Sequence, residues 1–581
     1  MKQPLFLTSS VLAPFVVLLV TLPAHAADWY VSPTGAGAAA ADCPTRATPC
    51  SLTSAAAGAV AGDTVYLTSG SYQQPLIVAN TGTEAAPITF KADTCSTPII
   101  ESMTSVDDNQ TTGVHSEMGE YLVFDGLVVR GWNTGFGNRW AGGTDSTEVS
   151  NGHWTIKNCI SYSNGRTGYT FYSGPSYTLI NSISAHNGTS TAHSWSSGVT
   201  LFEATGTNLV QGVVSFENTD EEKHTDGSGF IVDEGSNGAT FLNNIAFGNA
   251  GSCFRLTKSS GTTFVNNTCY HNSQFGSQAT GPSNPGELYF TNGGVTIQNV
   301  NFKNNVIVGT GTAPAGSQAI QNQPTSGWTT NLVSVGATTL FTAPDGTNPD
   351  FTLASTATTA IGKGTAGTGT PTTDIGFDQK CIVKRAPQMF GMVAGLSRWQ
   401  YDIDIAYVTM KGGVAKCFNG GALPTPPDIG AYKSGAVTTA ASCTPEPAGT
   451  GVGTAGTGSG GASGSAAGAG SVATGGTTAS NGGAASAAAG ASSAAAGASS
   501  AAGGATSGTA AGAAGTGTAT AGGVGTSAGA GNGAPTTPNS GSDSSGCGCR
   551  TASSRGSELP AALGLFGLVA FGIVRRRRDR V

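Results

Sequence analysis

Between residues 156 and 310, short apolar runs alternate with asparagines in a pattern that returns several times. Ile156-Lys-Asn158-Cys-Ile-Ser-Tyr-Ser-Asn164 is followed by Leu179-Ile-Asn181-Ser-Ile-Ser-Ala-His-Asn187. Phe241-Leu-Asn243-Asn-Ile-Ala-Phe-Gly-Asn249 and Phe264-Val-Asn266-Asn-Thr-Cys-Tyr-His-Asn272 repeat it, and Val210-Gln211-Gly212 through Asn218 fits with Gly in the Asn place. Asn304-Asn305-Val-Ile-Val begins another copy, and Asp125-Gly-Leu-Val-Val an earlier one. Within each copy apolar and polar residues alternate with the period of a strand.

The steps from Asn158 through Asn181, Gly212, Asn243 and Asn266 to Asn304 are 23, 31, 31, 23 and 38 residues. The shortest suits one coil of a parallel β-helix, with three short strands and three bends. The longer steps are the same coil with loops of about 8–15 residues inserted. Asparagine at a bend tolerates left-handed backbone and can hydrogen-bond its equivalents in the coils above and below. One coil has no core, so stacking supplies the burial. A β-sandwich or propeller would not explain so short an asparagine-marked period. The pattern predicts a β-helix over about 60–433, with Asn158, Asn181, Asn243 and Asn266 in one column.

Two long coils align at a constant offset. His193-Ser-Trp195-Ser-Ser-Gly198 through Glu203 matches His224-Thr-Asp226-Gly-Ser-Gly229 through Glu234. Equal offset in a solenoid means vertical stacking, about 5 Å apart. This predicts His193 over His224 and Glu203 over Glu234. Gly251 through Lys258 continues the frame. Val199, Phe230 and Phe254 then point inward, as do Leu201, Val232 and Leu256. Thr200, Ile231 and Arg255 point outward, as do Phe202, Asp233 and Thr257.

The ends of the chain read differently. Residues 1–26 have the form of a secretory leader: Lys2, an apolar run from Leu12 to Leu22, then Ala24-His25-Ala26. Secretion permits disulfides. Cys43 and Cys50 are close enough to pair, and Cys381 and Cys417 could pair across a longer loop. The eleven cysteines leave at least one over, and connectivity stays open. Residues 434–546 are nearly all Gly, Ala, Ser and Thr, which predicts a disordered stalk. Cys547 and Cys549, the apolar run Leu559 to Val574 and Arg575 to Arg578 close the chain. That ending resembles the MYXO-CTERM sorting domain, which implies a short hydrophobic tail helix, surface sorting and a membrane contact through the tail.

Composition narrows the function. Without residues 1–26 and 547–581 the chain keeps 18 basic and 31 acidic residues. So acidic a body excludes general attraction to nucleic-acid phosphates. Charged residues make up only 10% of the sequence, too few for a coiled coil or an ordinary helical enzyme.

The opening Trp29-Tyr30-Val31-Ser32-Pro33, then Ala61-Gly62-Asp63-Thr64-Val65-Tyr66-Leu67, and the closing Pro427-Asp428-Ile429-Gly430-Ala431-Tyr432 resemble the caps of the pectate-lyase superfamily. The resemblance spans about 400 residues. It implies an all-β, right-handed single-stranded parallel β-helix over 27–433 with an N-terminal cap. It also implies a cell-surface monomer acting on an extracellular polysaccharide, most directly by eliminative cleavage of a uronate glycan. The fold hosts hydrolases, isomerases and adhesins too.

The loop after Asn218 and the coil below it carry the densest charge. A uronate lyase needs a cation to neutralise the sugar carboxylate and a base for the adjacent proton, which in this superfamily is Lys or Arg. Asp220, Asp226 and Asp233 are the candidate ligands for Ca²⁺. Lys258 or Arg255 is the candidate base, with His224 as a further catalytic candidate. Trp195 and His193 are candidates for substrate contact, with Trp132 and Trp140 as further aromatic candidates. His224-Thr-Asp226-Gly227 with Gly229-Phe230 resembles a coil of pectate lyase family nine. That family's next coil carries calcium-binding carboxylates; here the matching positions are Gly251, Ser252 and Arg255. A hydrolase of the same fold would use Asp226 with Asp233 or Glu234. A non-catalytic carbohydrate-binding or adhesive protein is the remaining class.

Overall fold

The computed structural model describes residues 26–443 except 117, 139–150, 275–285, 292–295, 311–317, 322–327, 337, 389–398 and 436–439. Nearly all of the leader, the stalk beyond Cys443 and the sorting segment with its expected helix lie outside the described residues.

The chain visits three sheets in rotation. Thr178–Ile180 lies in the first, Ile183–Ala185 in the second and Ser197–Phe202 in the third; Leu209–Gln211 then returns to the first. Among the described residues these sheets hold eleven, ten and nine strands. Every pairing within them is parallel, as in Thr178↔Leu209 and Val214↔Ile245. This is a parallel β-helix. The first sheet pairs Thr155 with Thr178, Leu209 with Thr240 and Thr263 with Asn301, which reproduces the coil lengths read from the sequence.

The predicted column sits at the bend between the first and second sheets. Asn158, Asn181, Asn243, Asn266 and Asn304 all have left-handed backbone, with φ between 48° and 57°. Each amide donates to the next coil, for example Asn158 N to Ile180 O at 3.0 Å and Asn181 N to Gln211 O at 2.9 Å. Gly212 takes the same conformation at φ 65°. A Cβ there would lie 2.6 Å from Asn181 Oδ1, so this rung has no room for a side chain.

The long asparagine ladders run elsewhere. One lies one residue further on, where the strand has entered the interior: Asn244, Asn267, Asn305 and Asn331 join by Nδ2–Oδ1 bonds of 3.0, 3.0 and 2.8 Å. A second joins Asn164, Asn187, Asn218, Asn249 and Asn272 at 2.8, 2.9, 2.9 and 2.7 Å. Each Oδ1 also accepts the preceding rung's backbone N–H, so these interior polar groups are satisfied.

The core is a stack of rings and aliphatic side chains inside the coils. Phe241, Phe264 and Phe302 repeat along the first sheet, with ring centroids 5.2 and 4.4 Å apart. Tyr169, Val199, Phe230 and Phe254 repeat along the third. Helix Leu52–Gly58 caps the first coil, with Ser51 accepting the N–H of Ser54. It buries Leu52, Ala55 and Ala56, and Gly58 lies against Trp29 so closely that a Cβ would clash with the indole.

The solenoid does not run to residue 433. Its last described strand is Leu332–Val335. Beyond it, the antiparallel pairs Phe341–Ala343 with Asp350–Leu353 and Ile382–Gln388 with Trp399–Ile403, and helix Ile405–Lys411, belong to a second hydrophobic cluster on the second sheet's outer face. That face is unusually apolar, with Ile183, Phe216, Phe247 and Tyr270 against Phe351 and Tyr401. The closing phrase docks this segment: Gly430 N donates to Asn304 O, and Asn266 Nδ2 to Asp428 O.

Cys43–Cys50 and Cys381–Cys417 are disulfides, as the spacing suggested. Cys253–Cys269 and Cys95–Cys443 are two more, and the second ties the start of the expected stalk to an early coil. Cys159 is buried with a free thiol, which burial pushes far above its ordinary range.

Candidate active site

The third sheet sets the candidate residues out in two columns on its outer face. The inward positions Phe171, Leu201 and Val232 are buried in the core. Strand alternation therefore turns their neighbours outward. One outer column runs Thr170, Thr200, Ile231, Arg255, Tyr289. The other runs Tyr172, Phe202, Asp233, Thr257, Thr291, since Phe202 pairs with Asp233 and Thr257 with Thr291. The bend after the second column is left-handed at Ser173, Glu203, Glu234 and Lys258.

The loop after Asn218 folds onto this face. Asp220 organises it: Oδ1 accepts Ser196 N at 3.3 Å, and Oδ2 accepts Thr225 N, Thr225 Oγ1 and Asp226 N at 3.1, 3.1 and 3.2 Å. Asp226 then meets Arg255 in an ion pair whose side chains are only 6% and 9% exposed. The Arg255 guanidinium carbon also lies 5.9 Å from the Tyr289 ring centroid. Asp233 is buried beside them, and its Oδ1 accepts Glu234 N at 2.9 Å. Lys258 Nζ holds both oxygens of Glu234 at 2.7 and 2.9 Å.

Electrostatics separates these carboxyls from ordinary ones. Burial raises Asp226 to about 6, against the pull of Arg255 and of Arg166 nearby. Burial raises Asp233 to about 7, with the negative charges of Asp226 and Glu234 adding to the effect and Arg255 opposing it. Asp233 is therefore poised to exchange a proton near neutrality.

These placements revise several sequence expectations. The three aspartates do not fit a calcium ion as placed. Asp220 is saturated by protein donors, and Asp226 is engaged by Arg255. Among the described residues the one set of three ligand-type side chains with donor atoms within 4.8 Å of one another is Cys253, Cys269 and Glu287, and two of these are joined as a disulfide. A guanidinium stands where the sequence comparison with family nine had already lost a carboxylate. Lys258 could accept a proton only by giving up both bonds to Glu234. His224 lies in the loop with Nε2 4.0 Å from Glu221 Oε2, while His193 Nε2 lies 3.1 Å from Gln110 Nε2. Trp195 is half-buried with Lys223 Nζ 4.2 Å from its ring centroid, so a cation already occupies that ring. Trp132 is in the core and donates to Ile100 O; Trp140 lies outside the described residues.

Sequence reasoning missed Tyr289, Arg166, and the half-buried pair Tyr172 and Phe202. Tyr289 was reachable by carrying the register one coil further, from Phe254 to Leu288. A long insertion hid that step.

No known family model matches the chain, and no curated protein sequence does. Among solved structures it is similar to pectate lyase Pel9A, at 18% identity and a TM-score of 0.38, over 60% of this chain and 94% of that one. It is similar to an alginate lyase from Paenibacillus sp. str. FPU-7 at 14% identity and a TM-score of 0.32, over 53% and 99%. A rhamnogalacturonan lyase matches at 15% identity and a TM-score of 0.32, over 48% and 68%.

Proposed function

We propose that the protein is a secreted, surface-held enzyme that cleaves a uronate-containing polysaccharide bound along the outer face of the third sheet. The observation that carries this reading is the convergence of Asp226, Asp233 and Arg255 on one outer patch in a chain otherwise poor in charge. The four disulfides suit an oxidising exterior.

In elimination a base takes the C5 proton of the uronate, the C4=C5 bond forms, and O4 leaves and takes up a proton. Arg255 supplies the fixed positive charge that stabilises the sugar carboxylate as C5 is deprotonated. Asp233 is the group with proton affinity near neutrality and serves as base. Asp226 holds Arg255 in place. No step needs a metal.

A second reading rests on the same two carboxyls. With Asp233 as general acid and Asp226 as base or nucleophile, the site would hydrolyse a glycosidic bond. Product chemistry decides between them. The full-length protein is incubated with acidic and neutral polysaccharides, with added Ca²⁺ and with chelator. Unsaturated products in both conditions support elimination. Saturated ends with new reducing sugar support hydrolysis. Dependence on Ca²⁺ would overturn the assignment of the cation to Arg255, and binding without cleavage would leave a carbohydrate-binding surface protein.

A further inference from the structure

One feature of the outer face has no part in the proton chemistry. Tyr172 and Phe202 occupy the two rungs immediately before Asp233 in its own column. Their rings are stacked, with centroids 4.8 Å apart and planes 10° from parallel. Both are half-buried, so each keeps a solvent-facing part. Asn138 fixes Tyr172 from behind, accepting its N–H at 2.8 Å and donating to its carbonyl at 2.6 Å. The pair forms an apolar strip leading straight to the proposed reacting group.

The polar groups at these rungs have one sign. Glu203 follows Phe202 at the bend, and its Oε2 accepts Ser173 Oγ at 3.1 Å. Neither Tyr169–Tyr172 with Ser173 nor Ser197–Phe202 with Glu203 contains a lysine or arginine. The cations of the patch, Arg255 and Lys258, belong to the coil on the other side of Asp233.

Resting on the reading of the site as a uronate-cleaving one, we infer that the subsite on Phe202 and Tyr172 takes a neutral pyranose, so that the substrate is a heteropolysaccharide in which uronate and neutral sugars alternate. Successive rungs are about 4.8 Å apart, close to the rise of one sugar in an extended glycan. A chain laid along the axis therefore places one residue per rung. The sugar over Arg255 meets a cation and is the uronate. The next, over Phe202, meets an aromatic surface for its C–H face and the Glu203 carboxylate as an acceptor for hydroxyls. A second uronate there would set its carboxylate against Glu203 and the Asp233 side of the patch, a like-charge contact that specificity uses to reject wrong partners.

The test uses the full-length protein with polygalacturonate and alginate as pure polyuronates, and rhamnogalacturonan and hyaluronan as alternating polymers. Cleavage of an alternating polymer in preference to both polyuronates is expected. Phe202→Ala should raise KM for that polymer about tenfold, the loss of much of one ring's burial, with kcat nearly unchanged. Phe202→Tyr should restore the wild-type KM, which a merely structural defect would not predict. Glu203→Arg should shift the preference toward the polyuronates. If wild type cleaves polyuronates as well as alternating polymers, or Phe202→Ala leaves KM unchanged, the neutral subsite is wrong while the cleavage reading stands. If wild type cleaves none of the four, both fall.

Discussion

Arg255 follows Ile231 in the register of the third sheet and reaches the carboxylate of Asp226, which the preceding inserted loop delivers to the same spot. Both side chains are buried, so the pair fastens the loop as well as charging the site. Removing one partner leaves an uncompensated buried charge, which costs about 3–5 kcal/mol. Arg255→Met should lower stability by that order, and Arg255→Met with Asp226→Leu should recover much of it. Denaturant titration of the three proteins checks this. Equal stability of wild type and Arg255→Met would mean that the pair is not formed in solution.

The Asp233 carboxyl gives a pH profile that separates the two catalytic readings. Burial holds it up at about 7. As a base it must be ionised, so kcat/KM should rise as pH passes upward through about 7. As a general acid it must be protonated, so activity should fall over the same interval. Asp233→Asn should abolish either limb. A profile flat between pH 5 and 9, with Asp233→Asn still active, would remove Asp233 from the chemistry.

Glu287 ends the second asparagine ladder. Its Oε1 accepts Asn272 N at 2.8 Å and its Oε2 accepts Asn272 Nδ2 at 2.6 Å. Complete burial raises it to about 8, above its ordinary value of 4.5, so folding favours the protonated form. The contribution is fully present below about 4.5. It is lost progressively as pH rises to about 8, because only the unfolded chain ionises freely there. Asp226 and Asp233 act in the same direction. Thermal unfolding should show Tm falling between pH 5 and 8, and Glu287→Gln should reduce that slope while keeping an acceptor for Asn272. An unchanged slope in the variant would contradict a raised Glu287.

The coil was legible because each bend needs the same local chemistry. Left-handed backbone selects Asn or Gly, and the interior selects strand alternation, so the period was written into Asn158, Asn181, Gly212 and Asn243. The register around Asp233 and Arg255 followed from equal offsets. Other features depend on where the chain goes after leaving the solenoid, which no period encodes. The apolar outer face of the second sheet at Phe216 and Phe247 was one signal that something covers it. The engagement of Asp226 by Arg255, and of Lys258 by Glu234, was hidden for a different reason. The sequence placed these charges near one another but could not say which pairs would close, and that choice decides whether a metal or a guanidinium supplies the positive charge.

The same logic makes Asn218 the most informative position in the scaffold. Its Oδ1 accepts Asn187 N at 3.1 Å and Asn187 Nδ2 at 2.9 Å. Its Nδ2 donates to Asn249 Oδ1 at 2.9 Å, Ser215 Oγ at 3.1 Å and Ser184 O at 3.2 Å. The rung is fully buried, so Asn218→Ala strands donors on Asn187 above it and removes a donor from Asn249 below, with no room for a bulky replacement. Each stranded buried group costs about 1–3 kcal/mol, so the variant should lose more than about 3 kcal/mol. Asn158→Gly offers the contrast. That position needs left-handed backbone, which Gly supplies without strain, and its printed side-chain bond is one partly buried contact of 2.8 Å to Asp125. It should lose no more than about 1–2 kcal/mol. Chemical denaturation of both variants tests the division of labour between bend and ladder. A larger loss at Asn158 than at Asn218 would reverse it, placing the stability of the coil in its turns and not in its interior.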